Sequence, residues 1–353
     1  MKPLRITLVT NGLGYGGAER IVLELARGLS AAGDQLSVVA TTRGGPIEDE
    51  LRACGISVSI LGIRSALDGR IPILMARALD HFEAEIVHSH LAVSDIAVAL
   101  APKRIPRVST VHNPGVELGG VRKRLWHLSL LRFQRVLAVG TVVRRALPRW
   151  LPVSIDRPSL VDREPLLRKE ARLALGIEPD ERVVLGVGRL LPVKGFDVLA
   201  EARPMMTTKA RVMVIGDGPE RGALEGRGLE LLGSRGDAPA LLAAADVLVC
   251  PSRSEGFPQV PIEAAWARVP VVGTRVGGLP EVVVDGETGL LVPAADPIAL
   301  AAAIDRLVAD RALATRLGEG ARARVIREGL TAKAMVERMR VLYRELISLH
   351  GTR

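Results

Sequence analysis

Aromatic side chains make up only 3% of this 353-residue chain, and cysteine is confined to Cys54 and Cys250. Two isolated cysteines exclude a disulfide framework and offer no metal-ligand spacing, so a reducing cytoplasm is the simplest setting. No apolar run approaches the length needed to cross a bilayer. The opening LRITLVT is seven residues long and breaks into glycines, so no secretory signal is read there. No D-x-D motif is present, and residues 121–150 hold no acidic residue beside eight basic ones.

Nearly half the chain is apolar (48%). With so few aromatics, its cores must be Ala, Val and Leu, which suits strands covered on both faces by helices. The length allows two ordinary domains. The net charge of +9 is unevenly placed. Residues 1–150 carry 20 Lys+Arg against 12 Asp+Glu, and the remainder carries 28 against 27. The first half is therefore expected to meet something anionic.

Short, nearly continuous apolar runs alternate with helical stretches, the pattern of doubly wound α/β units. In the first half the runs are 5–10, 36–42, 86–90, 107–112 and 136–140. In the second they are 182–189, 210–218, 246–252, 269–274 and 289–293. One helix face is expected from Ala18, Ile21, Val22, Leu25 and Leu29. Asp296 and Pro297 form an N-cap and first-turn pair. Residues 141–165, with four prolines, read as a turn-rich link, and a last helix is expected from about Thr331 to Leu349.

The segment PSRSEGFPQVPIEA (251–264) places Glu255 and Glu263 either side of seven residues, behind the buried-strand pattern ADVLVC. Loops past the carboxyl ends of parallel strands are where such sheets keep ligands. Carboxylates accept from hydroxyls, so the pair suits a polyhydroxylated ligand, and a sugar nucleotide has hydroxyls at both ends. An arbitrary E-x7-E is more often a capping glutamate and a solvated one; the flanking glycine and prolines favour a site here. Arg189 and Lys194 follow an earlier strand in one turn, and two fixed cations suit a diphosphate.

After the first strand, Gly12, Gly14 and Gly17 satisfy G-x-G-x-x-G, a dinucleotide-binding signature. The second strand ends in Thr41, Thr42 and Arg43, without the acidic residue a nicotinamide ribose wants. The glycines predict close approach of a ligand or a facing loop, with helix N–H groups available to phosphate. His88 and His90 alternate on one strand and share a face. His88 reads as a satisfied core residue; His90 stays open between core and site.

Seven segments then occur in order: GGAER (16–20), GRLLPVKG (188–195), GDGP (216–219), ADVLVCPS (245–252), EGFP leading to EA (255–264), GGLPE (277–281) and DGETGLLV (285–292). Together they resemble the retaining family-4 glycosyltransferases of the GT-B fold. That resemblance implies an α/β chain of two Rossmann-like, doubly wound parallel-sheet domains facing across a cleft. The boundaries read as 1–155, 156–330 and a terminal helix at 331–353 packing back on the first domain. It implies a nucleotide-diphosphate sugar donor, a glycan or lipid-linked acceptor in cell-envelope polysaccharide or glycolipid synthesis, and no cofactor or metal.

By position, the resemblance gives Glu263 the ribose hydroxyls and Glu255 the donor-sugar hydroxyls, beside Gly256, Phe257 and Pro258. Arg189 and Lys194 neutralise the diphosphate. Gly16, Gly17 and His112 belong to the opposite wall, and Glu255 and His112 are the catalytic candidates. Whether Glu255 positions the sugar or attacks it stays open. Two features depart from the family pattern: VSIDRPSLVD opens the second domain, and 219–240 is short, leaving the strand that normally backs the nucleotide base reduced to about LELLG (229–233). The basic stretch 121–149, with Trp126 and Phe133 among its leucines, suits either a solvated helix face or an anionic membrane surface at the cytoplasmic face. No nucleic-acid partner is expected. A nicotinamide oxidoreductase and a non-catalytic GT-B-like binder stand as rival readings.

Overall fold

Thirteen strands form among the described residues of a computed structural model, which are 2–14, 16–66, 68–102, 104–113, 119–161 and 164–351. The chain divides into two units: Met1–Leu160 with Thr331–Arg353, and Val161–Leu330.

In the first unit the strands are β1 (Arg5–Gly12), β2 (Gln35–Arg43), β3 (Ser57–Ile60), β4 (Ile86–His90), β5 (Arg107–Val111), β6 (Arg135–Ala138) and β7 (Val153–Ile155). They form one sheet in the order β3-β2-β1-β4-β5-β6-β7, every pair parallel. β4 and β5 are buried along their whole length, which is why they read as continuous runs. β3 and β7 escaped the sequence reading because both are edge strands. Ser57, Ile60, Ser154 and Ile155 are exposed, and so short a half-exposed SVSI or VSI carries no continuous apolar signal. The supposed link 141–165 accordingly contains the helix Thr141–Ala146 and β7.

The helix Gly17–Ala31 buries Ile21, Val22, Leu23, Leu25, Ala26 and Leu29, a wider stripe than expected. It meets the helix Ala332–Gly351, and both cover one face of the sheet. Met335, Val336, Met339, Tyr343 and Leu346 join that core. Buried Asp34 fixes the arrangement: its carboxylate accepts from Leu4 N at 3.1 Å and from Arg340 Nε at 2.8 Å.

The second unit holds β8 (Val183–Val187), β9 (Arg211–Ile215), β10 (Glu230–Leu231), β11 (Val247–Cys250), β12 (Val271–Thr274) and β13 (Gly289–Val292). Their order is β10-β9-β8-β11-β12-β13, again all parallel. The chain is thus α/β with two doubly wound parallel sheets. As anticipated, Asp296 caps the helix Pro297–Ala309, accepting from Ala299 N at 2.9 Å. No described helix is long and apolar enough to cross a membrane.

Candidate active site

In the second unit the strand order reverses between β8 and β11, the position at which parallel sheets open a crevice beyond their carboxyl ends. The loops leaving those two strands carry Arg189, Lys194 and Glu255. Lys194 Nζ donates to Glu255 Oε1 at 2.7 Å, and Ser252 Oγ donates to the same oxygen at 2.6 Å. Two groups expected to serve different parts of a ligand therefore hold each other. Glu255 Oε2 makes no hydrogen bond among the described residues, which leaves an acceptor available.

Backbone contacts lock these loops together. Gly195 has φ +68°, and a Cβ there would lie 2.1 Å from Pro251 O. Gly277 has φ +52°, and a Cβ would lie 2.0 Å from Glu255 O; Gly278 N donates to that oxygen at 3.0 Å. Only glycine permits both the left-handed backbone and the approach. Arg253 N donates to Val193 O at 2.8 Å, while its guanidinium forks onto Asp197 at 2.6 and 2.7 Å. Thr274 Oγ1 donates to Ser252 O at 2.5 Å. A small cavity of about 50 Å³ lies here, lined by Lys194, Phe196, Ser252, Glu255, Pro258 and Gln259 among others.

Arg189 is exposed, and its guanidinium has no ion-pair or hydrogen-bond partner among the described residues. Phe257 and Pro258 are buried and Gly256 is half-buried. Glu263 is buried in the first turn of the helix Val260–Trp266. Ser252, Arg253, Asp197 and Thr274 do not stand out in the sequence. Isolated serines, threonines and ion pairs carry no spacing signal, although Ser252 stands inside the segment that was singled out.

In the first unit Gly16 is the N-cap of the helix Gly17–Ala31, with extended backbone and no side chain to cap it. The glycine loop does meet a facing loop: Leu13 N donates to Arg43 O at 3.2 Å, and Ile47 N donates to Leu13 O at 3.1 Å. His112 follows β5, half-buried, with Nε2 at 2.9 Å from His90 Nδ1. His90 stacks against His88 with centroids 4.3 Å apart, so the two share a face as the alternation requires. His88 is satisfied by Tyr343 Oη at 2.6 Å and Thr110 Oγ1 at 2.8 Å. Burial pushes His88 down to about 3 and His112 down to about 4, and holds His90 well below the ordinary imidazole range.

The basic stretch requires one correction. Trp126 is 1% exposed, and its Nε1 donates to buried Asp95 at 2.7 Å. Phe133 is buried as well. Both serve the core, so the outward apolar face of the helix Gly120–Ser129 is instead Val121, Leu125 and Leu128, followed by Leu131.

A family model described as Glycosyltransferase Family 4 matches residues 15–162, and one described as Glycosyl transferases group 1 matches residues 181–310. The D-inositol 3-phosphate glycosyltransferase of Streptomyces bingchenggensis is 35% identical over 212 residues, covering 52% of this chain and 46% of that protein. The N-acetyl-alpha-D-glucosaminyl L-malate synthase of Bacillus anthracis is 26% identical over 298 residues, covering 77% and 78%. Anabaena Alr3699/HepE, solved in complex with UDP-glucose, aligns with a TM-score of 0.79 at 22% identity over 97% of this chain and 100% of that one. At that identity the structural likeness speaks for the GT-B fold alone. The match spans less than half the length of the D-inositol 3-phosphate relative.

Proposed function

Because the chain belongs to the family-4, group 1 glycosyltransferases, we propose that it moves a sugar from a nucleotide-diphosphate donor to an acceptor hydroxyl. The observation that carries this reading is the Lys194–Glu255–Ser252 cluster at the β8/β11 reversal. It brings a cation, a carboxylate and a hydroxyl to the place where an open parallel sheet binds ligands. The neighbour solved with UDP-glucose supports a nucleotide sugar as donor. The oxidoreductase reading of the glycine loop loses its footing, since residues 15–162 match a glycosyltransferase family.

In the proposed reaction the bond between the sugar's anomeric carbon and the diphosphate oxygen breaks, and its electron pair leaves with the diphosphate. Arg189 and Lys194 stabilise the charge that grows there, a benefit larger in the transition state than before it. The acceptor oxygen bonds to the anomeric carbon on the same face. Its proton passes to the departing phosphate oxygen, which gives retention without a protein nucleophile. Glu255 holds sugar hydroxyls and releases Lys194 toward the phosphate. Glu263, on the neighbouring helix, takes the ribose; Gly256, Phe257 and Pro258 shape the donor pocket. Gly16, Gly17 and His112 are carried over from the family resemblance as further donor-binding and catalytic candidates. A covalent route through Glu255 predicts a trapped glycosyl-enzyme instead.

Glu255→Ala and Arg189→Ala test the assignment, with release of nucleoside diphosphate and sugar transfer both followed, UDP-glucose being the first donor tried. Each variant is expected to lose about 10²- to 10³-fold in kcat, the scale of one removed electrostatic stabiliser. Unchanged turnover in both would sink the site.

The acceptor is proposed to be a glycan or lipid-linked molecule of cell-envelope polysaccharide or glycolipid synthesis, met at an anionic membrane surface. Charge complementarity supports that surface: Arg122, Lys123, Arg124 and Arg132 border the exposed Val121, Leu125, Leu128 and Leu131.

A further inference from the structure

The histidines of the first unit form a buried series whose hydrogen bonds fix where each proton sits. Tyr343 is fully buried, and His88 Nδ1 is its hydroxyl's partner among the described residues. An undirected O–H there would forfeit its hydrogen bond, so Tyr343 donates to Nδ1. His88, neutral in this environment, then carries its proton on Nε2 and donates it to Thr110 Oγ1.

The same accounting applies at His90. Its Nδ1 meets His112 Nε2, while its own Nε2 is buried with no hydrogen-bond partner among the described residues. If His112 were the donor, the proton of His90 would sit on that Nε2 as a buried, unpaired N–H. An orphaned N–H is the rarer defect; a bare lone pair is better tolerated. Thr10, on the adjacent β1 and on the same side of the sheet, also has a buried hydroxyl without a partner among the described residues.

We infer that His90 is a positioning residue whose Nδ1–H donates to His112 Nε2, leaving His112 protonated at Nδ1. His112 has no partner at Nδ1 among the described residues and is half-buried, so that N–H is the group it offers outward. The tautomer follows from the hydrogen bonds of neutral rings. Its use rests on the proposed function, in which His112 borders the donor sugar. There His112 acts as a hydrogen-bond donor to an oxygen and not as a base, because the nitrogen that would accept a proton is engaged. The buried Tyr343 of the terminal helix, through His88 stacked on His90, holds the series in place.

Long-range ¹H–¹⁵N correlation spectra of the imidazole rings read each tautomer directly in the full-length protein at pH 7. His112 is expected to carry its proton on Nδ1, with Nε2 bare; a proton on Nε2 overturns the inference. In His90→Leu, His112 is expected to gain the Nε2–H form. Sugar transfer should fall about tenfold in kcat, the scale of one lost hydrogen bond, with the donor KM little changed. His90→Asn sets an amide N–H near the position of Nδ1 and is expected to restore both the tautomer and most of the transfer. An unchanged His112 tautomer in His90→Leu also overturns the inference. A changed tautomer with full transfer upholds it and removes His112 from the reacting site. Should His90→Leu not fold, the native spectrum and the Asn variant decide the matter.

Discussion

At the residue scale, burial gives opposing pH signatures to the groups of the first unit. His88, pushed down to about 3, His112, down to about 4, and His90, held well below the ordinary imidazole range, stay neutral when folded. Unfolded histidine titrates near 6.5. Below that pH the unfolded chain binds protons that the folded one refuses. The stability is therefore complete above about pH 6.5 and is lost as the pH falls toward 4. Asp95 works the other way: burial pushes its carboxyl up to about 6, so its folded form binds a proton first and stability rises as the pH falls from about 6 to 4. Three lowered histidines outweigh one raised aspartate. The Tm of the first unit is expected to drop by several degrees between pH 7 and pH 5 in thermal unfolding, and a Tm that rises over that range contradicts the balance. At this scale Glu255, Glu263, Arg189 and Lys194 were legible, because charged residues after apolar runs stand out. Ser252 and Asp95 were not: a lone serine carries no spacing signal even three residues from its partner Glu255, and the partners of Asp95 come from other segments.

The helix Gly120–Ser129 shows what an element adds to its residues. Read as a string it offers Trp126 as its largest apolar surface residue. Folded, Trp126 turns inward and anchors the helix to the sheet through Asp95, which also accepts from Ser89 and Ser109 at 2.5 and 2.8 Å. Val121, Leu125 and Leu128 recur at i, i+4 and i+7 and share the outer face, where they are 73, 41 and 57% exposed. Two substitutions separate the faces. Leu128→Glu is expected to weaken binding to vesicles rich in anionic lipid, measured by co-sedimentation, without changing Tm. Trp126→Phe should leave binding intact and cost about 1–3 kcal/mol of stability, the price of a buried carboxylate oxygen losing its donor. Binding should also weaken as salt rises. If Leu128→Glu binds as the native protein does, this face is not the contact.

For the whole molecule, the first unit is closed by residues from the far end of the chain. Met335, Val336, Met339, Tyr343 and Leu346 are buried in its core. At about 1.5–3 kcal/mol per buried apolar side chain, the terminal helix contributes on the order of 10 kcal/mol, comparable to the net stability of a domain. A chain ending at residue 330 is expected to lose the unfolding transition of the first unit and keep that of the second, as calorimetry can show. Two intact transitions would refute this. The sequence by itself determined the α/β class, the two sheets, the interior strands and the segments that carry the family likeness. Those features repeat locally: a strand buried on both faces must be apolar along its length, and a capped helix carries its own signals. The edge strands β3 and β7, the inward turn of Trp126 and the series from His112 to Tyr343 were decided by the tertiary structure. Each depends on residues tens to hundreds of positions apart. The pairing of Lys194 with Glu255 is of the same kind: the sequence set both charges beside one sheet edge, and folding brought them to 2.7 Å.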